Sequence, residues 1–495
     1  MSMKYFYLIL IFLVLYIVWQ SIKFAMLKRF FHACVLKKAL FIYSLKDKHN
    51  VFSSYIWLKV ANLYSGVSRD KKEIFVKLLE DENFEQVINC VTAKSSGLSY
   101  AFRAMLGLKK SKFNLQQYVN KNQNDIDALL MLAMIYAEDF AYTKLEKILN
   151  KLKLLKLNKN EKCMVYILES KLYMHDTDML SASRKAFKAI RFFKRNEFLY
   201  EEAQSYVLLG EIYRISAMYD VSQMMYEAAQ KIYSALGNVI KVADVKTLKA
   251  ILFMGQERFV EAKEVFDECK KIFQKNNLKK KYAEVLNQQA LLYILQGKYS
   301  IALKNAKDAG KIHRQIKNKR GESFSLELAS LVEYNKHHYK DALDFAVDAM
   351  SLYERSKNYA AYEDSAFVAA QSCFALKEYE KSEQFCRKIL NVHSKHNTCF
   401  HVANVYSLLG LIYVKLNDFN RASALFKKSL NIEQCNERYS AVAIDYVNLA
   451  LIDKKTGKLN SALHNFQSAL SSAKKQNDEK LCAIIEQQIK KIKKF

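Results

Sequence analysis

An eight-residue phrase is written twice in this chain. Tyr206 to Tyr213 reads YVLLGEIY and Tyr406 to Tyr413 reads YSLLGLIY, with starts 200 residues apart. Sampling every fortieth residue shows why. From Ala182 the series runs Ala182, Ser222, Ala262, Ala302, Ala342, Ser382, Ala422, Ala462, all alanine or serine. Three residues before the small position, from the second unit on, stand Tyr219, Phe259, Tyr299, Tyr339, Tyr379, Phe419 and Leu459. Seven residues after it come Ala189, Ala229, Cys269, Ala309, Ala349, Ile389, Ser429 and Ala469. Nine before it come Tyr173, Tyr213, Phe253, Tyr293, Glu333, Cys373, Tyr413 and Asp453. A fixed period of this length marks a stack of like units, each burying its apolar side on the next. A small residue recurs where two helices of a unit cross, because a larger side chain would force the backbones apart. The aromatic fills the space at the turn.

Nothing in the 495 residues argues for strands. There is no proline and there are only 11 glycines, the residues that punctuate hairpins and irregular loops. Apolar residues instead recur at helical spacing within each half-unit. The expectation is an all-α chain, an α-solenoid of helical hairpins joined by short turns.

These slots resemble the tetratricopeptide repeat, whose pattern is W-x2-L-G-x2-Y, then A-x3-F-x2-A, then P. Tyr206, Leu209, Gly210, Tyr213, Ser222, Tyr226 and Ala229 occupy it in one unit. Tyr406, Leu409, Gly410, Tyr413, Ala422, Phe426 and Ser429 do so in another, and Tyr446, Leu449, Ala450, Ala462, Phe466 and Ala469 in the last. The closing proline is absent throughout, and the period is 40 rather than the family's 34. The extra six residues imply longer helices or longer turns. The 40-residue form is similar to the repeats of kinesin light chains and bacterial peptide-sensing receptors.

Four segments follow. Residues Tyr5 to Ile22 form an 18-residue stretch without a charge, long enough at ~1.5 Å per residue for the ~30 Å hydrocarbon core. Lys23, Lys28, Arg29, Lys37 and Lys38 follow it, and only Lys4 precedes it. Residues 1–28 are therefore expected to be a signal anchor, one transmembrane helix with the body of the chain on the cytoplasmic side. Residues 30–160 are expected to be helical with degenerate repeats, Trp57, Val60, Ala61 and Tyr64 matching a first helix and Leu130, Ala133, Tyr136, Leu145 and Leu149 one shorter unit. The regular array is expected over 161–478, about eight units. Residues 479–495 read as a covering helix, with apolar Leu481, Ile484, Ile485, Ile489 and Ile492 and a basic tail.

Formal net charge is +28, but 14 of the 78 basic residues are arginine and the other 64 lysine. Phosphate clamps and base readers lean on the arginine fork, so nucleic acid is not the expected partner. The nine cysteines, Cys34, Cys90, Cys163, Cys269, Cys373, Cys386, Cys399, Cys435 and Cys482, form no C-x-x-C pair. They read as buried free thiols. No phosphate-loop, dinucleotide, zincin or nucleophile-elbow motif occurs, and no enzyme activity or cofactor is expected. His393, His396, Cys399 and His401 form one cluster of ligand types, placed by the repeat phase in a turn between units. Without paired ligand spacing no metal site is expected there, and His337 and His338 read as solvated turn residues.

The resemblance implies a binding function, with first helices of successive units lining a concave groove. The motif phase puts Glu211, Arg214, Ile251, Met254, Asn287, Leu291, Ile294, Phe324, Glu327, Tyr334, Phe367, Gln371, Phe374, Asn404 and Ser407 on that groove, with Gln204, Val207, Asp244, Glu284 and Asp364 beside them. An exposed apolar and aromatic stripe is expected in its middle, suited to a partner helix or extended peptide. The slot where chaperone-docking members carry asparagine holds Glu211, Ile251, Leu291, Leu331, Gln371, Leu411 and Leu451, so no terminal-carboxylate clamp is expected. The function implied is a membrane-anchored scaffold for a protein or peptide. A mitochondrial-type import receptor and a basic nucleic-acid or anionic-lipid binder are the alternatives.

Overall fold

The computed structural model describes Tyr100 and residues 111–492, apart from 139–140, 197, 357 and 397–401. The anchor at 1–28, Trp57 to Tyr64, and Cys34, Cys90, Cys399 and His401 lie outside the described residues. Every element among the described residues is helical. The chain divides into two compact units between Leu278 and Lys279.

Unit 1 contains α1 (Ser111–Lys121), α2 (Ile126–Glu138), α3 (Tyr142–Leu154), α4 (Lys159–His175), α5 (Met179–Arg195), α6 (Leu199–Ile215), α7 (Tyr219–Ala235), α8 (Val239–Gly255) and α9 (Phe259–Lys275). Unit 2 contains α10 (Lys279–Leu295), α11 (Tyr299–Gln315), α12 (Lys319–Asn335), α13 (Tyr339–Ser356), α14 (Tyr359–Ala375) and α15 (Tyr379–His396). It continues with α16 (Val402–Lys415), α17 (Phe419–Cys435), α18 (Tyr439–Lys455), α19 (Leu459–Lys475) and α20 (Glu479–Ile492). From α4 to α12 each helix has 17 residues, so three residues remain for each turn. The true step is 20 residues, and the length beyond 34 lies in the helices.

One turn shows how so little glycine suffices. Met218 N–H bonds the Tyr213 carbonyl (2.9 Å) and Ala217 N–H that of Arg214 (3.1 Å), while the Met218 carbonyl accepts from Ser222 N–H (3.0 Å). The first two bonds close a helix C-terminus in a Schellman motif. The third opens the next helix, so Met218 serves both ends. The residue between must adopt positive φ. It is glycine at Gly237, Gly297 and Gly457 but Ala217 (57°), Glu257 (60°), Lys317 (56°) and His337 (63°) elsewhere. Side chains brace several turns across the same two positions. Arg258 stacks on Phe253 at 4.2 Å, Glu433 pairs with Arg438 at 2.7 Å, and His338 Nδ1 lies 2.8 Å from Glu333 Oε2.

The small-residue series behaves as its spacing predicts. Ala182, Ser222, Ala262, Ala302, Ala342, Ser382, Ala422 and Ala462 are all fully buried. Ser222 Oγ donates to the Gly210 carbonyl (2.8 Å) and Ser382 Oγ to that of Ala370 (2.7 Å), which places the series at the crossing within a hairpin. Four residues later Tyr226, Phe266, Phe426 and Phe466 are also wholly covered. A β-carbon added to Gly210 would lie 2.5 Å from the Tyr226 ring, and one at Gly410 2.8 Å from Phe426. The L-L-G phrase thus records an aromatic ring lying on bare backbone. The aromatic at the second helix start is only half-buried, and Leu459 is exposed.

Within each unit consecutive helices pack in antiparallel pairs, and in unit 2 the first helices α10, α12, α14 and α16 also touch in series. Helix α20 covers α19 with Ile485 and Ile492, while Ile484 is exposed. Cys163, Cys269, Cys373 and Cys386 are buried free thiols, whereas Cys435 is exposed. No helix among the described residues is long and apolar enough to cross a membrane.

Candidate peptide groove

First helices are packed on two sides, so their remaining strip is narrow. In unit 1 it opens into a cavity of about 310 Å³ over α2, α4, α6 and α8. The lining includes Ile167, Lys171, Gln204, Val207, Glu211, Lys241 and Asp244, with Tyr233 entering from α7. Tyr226 donates to Glu211 Oε1, and Arg214 pairs with Glu211 Oε2 at 2.8 Å. Burial lowers the Lys171 pKa, against the opposing pull of Glu138.

In unit 2 a cavity of about 550 Å³ lies over α10, α12 and α14. Asn287, Phe324, Glu327 and Asp364 supply the strip, Lys280, Glu284 and Arg320 carry charge around it, and His313 and Tyr353 enter from α11 and α13. Tyr353 O–H donates to Glu327 Oε2 at 2.5 Å. Burial, reinforced by Asp364 nearby, pushes the Glu327 carboxyl up to about 7. Ser325 Oγ donates to Asn287 Oδ1 at 2.9 Å, tying α12 to α10. His313 is fully buried, and burial above all, then Lys280, pushes its pKa down to about 4.

The residues expected on the groove divide accordingly. Glu211, Asn287, Phe324 and Glu327 line the two cavities, as do Gln204, Val207, Asp244, Glu284 and Asp364. Arg214 pairs with Glu211 at the first cavity. Ile251, Gln371, Asn404 and Ser407 are half-buried away from both, and Met254 is buried in the core. Ser407 Oγ lies 2.5 Å from Asp445 Oδ1, a buried carboxyl whose pKa is raised by burial. The expected exposed aromatic stripe needs correction. Leu291, Ile294 and Phe324 pack against Ala290, Ala306, Leu328 and Ala329. Tyr334, Phe367 and Phe374 pack against the cluster around Ala366, Ala369 and Ile412. These side chains lean into the seams between neighbouring hairpins of unit 2, because the small residues beside them leave room that would otherwise be void.

His313, Tyr353, Asn318 and Asn358 were missed because only first helices were considered. Reading the second helices at 40 residues finds the first two: Phe193, Tyr233, Phe273, His313 and Tyr353 form one series at the second helix's end. His393 belongs to the same series and stands in α15, not in a turn, and His396 is that helix's last residue. Glu333, His338 and Asp341 bring ligand atoms within 4.8 Å. Glu333 is already engaged by His338 and by Lys336 (3.2 Å), the bracing that Glu433 and Arg438 give another turn.

The class these features define is an α-helical repeat protein, a run of hairpins whose first helices leave a strip with a cavity in each unit. Residues 365–434 match the family model described as tetratricopeptide repeat. No curated protein matches the sequence. Among solved structures, one similar chain is a signal-transduction ATPase with a tetratricopeptide repeat sensor from Pyrococcus horikoshii, at 14% identity and a TM-score of 0.49, covering 90% of this chain and 74% of that one. Another is the apo form of the quorum sensor NprR from B. thuringiensis, at 14% and 0.48, covering 70% and 98%. A third is aspartyl phosphate phosphatase F from Bacillus subtilis, at 11% and 0.47, covering 70% and 94%.

Proposed function

We propose that this chain is a membrane-anchored, non-catalytic scaffold that holds a protein or peptide segment on the first-helix strips of its hairpins. The observation that carries the reading is the convergence of residues 40 apart in sequence, such as Glu284, Phe324 and Asp364, on one cavity. A cavity of several hundred Å³ is the size that takes a few side chains of a partner. The uncharged stretch Tyr5–Ile22 with its basic C-terminal flank supports an N-terminal anchor and a cytoplasmic array.

The test is recovery of partners from membranes in mild detergent by the full chain and by the double variant Gln204→Lys, Asp364→Lys. Both changes fall on cavity-lining side chains that are only half-buried. Loss of a co-purifying protein from the variant supports the groove, and undiminished recovery rejects it. Deleting residues 1–28 should move the chain out of the carbonate-resistant membrane fraction. Retention there rejects the anchor.

A further inference from the structure

The two cavities occupy the same place in the repeat. Ile167, Gln204, Val207, Tyr233 and Asp244 line the first; Asn287, Phe324, Glu327, Tyr353 and Asp364, each 120 residues later, line the second. Tyrosine and aspartate recur, but valine becomes Glu327. Around it Lys280 and Arg320 are two cations, and Glu284, Asp364 and Glu327 are three carboxyls. Two charges balance, so one acid is in excess, and Glu327 is the one held by the neutral Tyr353 hydroxyl.

His313 in the same wall carries a ring nitrogen without a hydrogen-bond partner. Asn318 Oδ1 accepts from Gly321 N–H (3.3 Å), so its amide nitrogen faces His313 Nδ1 at 3.0 Å. An amide N–H can only donate, so Nδ1 accepts and the proton of the neutral ring sits on Nε2. That Nε2–H is buried and has no hydrogen-bond partner. A buried donor left unmade is costly and asks for an acceptor. Gly321 has no β-carbon where one would collide with the His313 ring, so the backbone leaves the space that this arrangement requires.

We propose that the unit 2 cavity receives a lysine or arginine side chain of the bound peptide, with Glu327 as its counter-ion and His313 Nε2–H donating to a peptide oxygen beside it. This rests on the peptide-binding reading above. A cationic head restores the charge balance, and a carbonyl satisfies the stranded donor. A peptide supplies both within one residue, which a simple cation does not.

The test pans the full-length protein in mild detergent against a phage library of random dodecapeptides. Bound sequences should share a lysine or arginine at one aligned position. The best of them, as a labelled synthetic peptide, should bind Glu327→Gln about tenfold or more weakly, as loss of a charge-assisted contact predicts. Its alanine-substituted version should not distinguish the two proteins. His313→Phe keeps the ring found at Phe193 and Phe273, and should weaken basic and alanine peptides by the same factor. Glu327→Val, the residue of the earlier cavity, guards against a folding defect in the glutamine variant. Peptides with no shared basic residue, or equal affinity for the native protein and Glu327→Gln, overturn this inference and leave the groove standing. Recovery of no peptide at all overturns the groove reading itself, and this inference with it.

Discussion

The two cavities share a backbone design and differ in how they treat charge. In unit 1 the carboxylate on the strip, Glu211, has Arg214 and Tyr226 at hand. In unit 2 Glu327 has a tyrosine hydroxyl and, nearby, a second carboxylate. The slot Glu327 fills is Val207 three repeats earlier, beside the equivalent tyrosine and aspartate. The hairpins therefore do not require a charge at that slot. What the fold demands is repeated; what it leaves open varies, and the variable side chains give each strip its chemistry.

The largest effect expected is at the glycine that seats Tyr226. Gly210→Ala should displace a fully buried ring and with it the Tyr226–Glu211 contact, costing about 3 kcal/mol. Gly410→Ala, against Phe426 with slightly more room, should cost less, about 2 kcal/mol. Denaturant unfolding checks both. A Gly210→Ala protein within about 0.5 kcal/mol of native would mean that the ring does not lock the unit 1 strip.

Next comes the pH dependence of the second cavity. The folded Glu327 carboxyl sits near 7 against an ordinary 4.5. Between those values the folded protein keeps a proton that the unfolded chain has released, so stability falls as pH rises through the window and is level above it. The loss is roughly 2–3 kcal/mol. Glu327→Gln keeps an acceptor for Tyr353 and should remove the slope, so that the variant is the more stable protein at pH 8. The other charged or titratable groups around the cavity, Lys280, Glu284, His313, Arg320, Tyr353 and Asp364, are the same in both proteins. Parallel stability curves for the two would show that Glu327 titrates as an ordinary solvated acid.

The fold was legible because second helices carry one clean face. In α9, Ala262, Phe266, Cys269 and Phe273 are buried and most of the rest is wet, so a period survives in the sequence. First helices hide this signal. In α14, Ser365, Ala366, Val368, Ala369, Ala370, Ser372 and Cys373 are all buried, leaving almost no polar face to set a phase. Hence Phe367 and Phe374 read as exposed although they are half-buried against the neighbouring hairpin, while Glu327 and Asn287 line the unit 2 cavity. The turn was hidden for another reason. Its geometry comes from main-chain bonds at Ala217, Glu257 or Lys317, and those residue types carry no turn signal. The unpaired His313 nitrogen depends on Asn318 and Gly321, which only the folded turn brings together.

A reverse exchange sharpens the comparison. Val207→Glu places a carboxyl beside Tyr233 and Asp244, as in unit 2, but with Lys241 and Lys171 in the same wall. Those amines should offset part of the desolvation, and the cost should be about 1 kcal/mol at neutral pH, smaller than the charge penalty at Glu327. Urea titration at pH 7 measures it. A cost above that of Gly210→Ala would show that the unit 1 strip tolerates no acid at this slot, and that the two cavities differ in more than one side chain.

The smallest effect belongs to what the two units should have in common. Ala217 in unit 1 and Lys317 in unit 2 both hold φ near 57° and 56°, a conformation that disfavours any β-carbon. Glycine relieves that strain but adds freedom to the unfolded chain, so the net gain should be about 0.5 kcal/mol at each site. Gly297→Ala, at a φ of 69° with nothing within 4 Å of an added β-carbon, should lose a similar amount, since only backbone strain changes. Thermal melts of the three variants decide the matter. Equal and opposite shifts mean that the turns are interchangeable parts and that the units diverge only along the strip. A gain at Ala217 without one at Lys317 would place a further difference in the turns themselves, next to the Asn318 that orients His313.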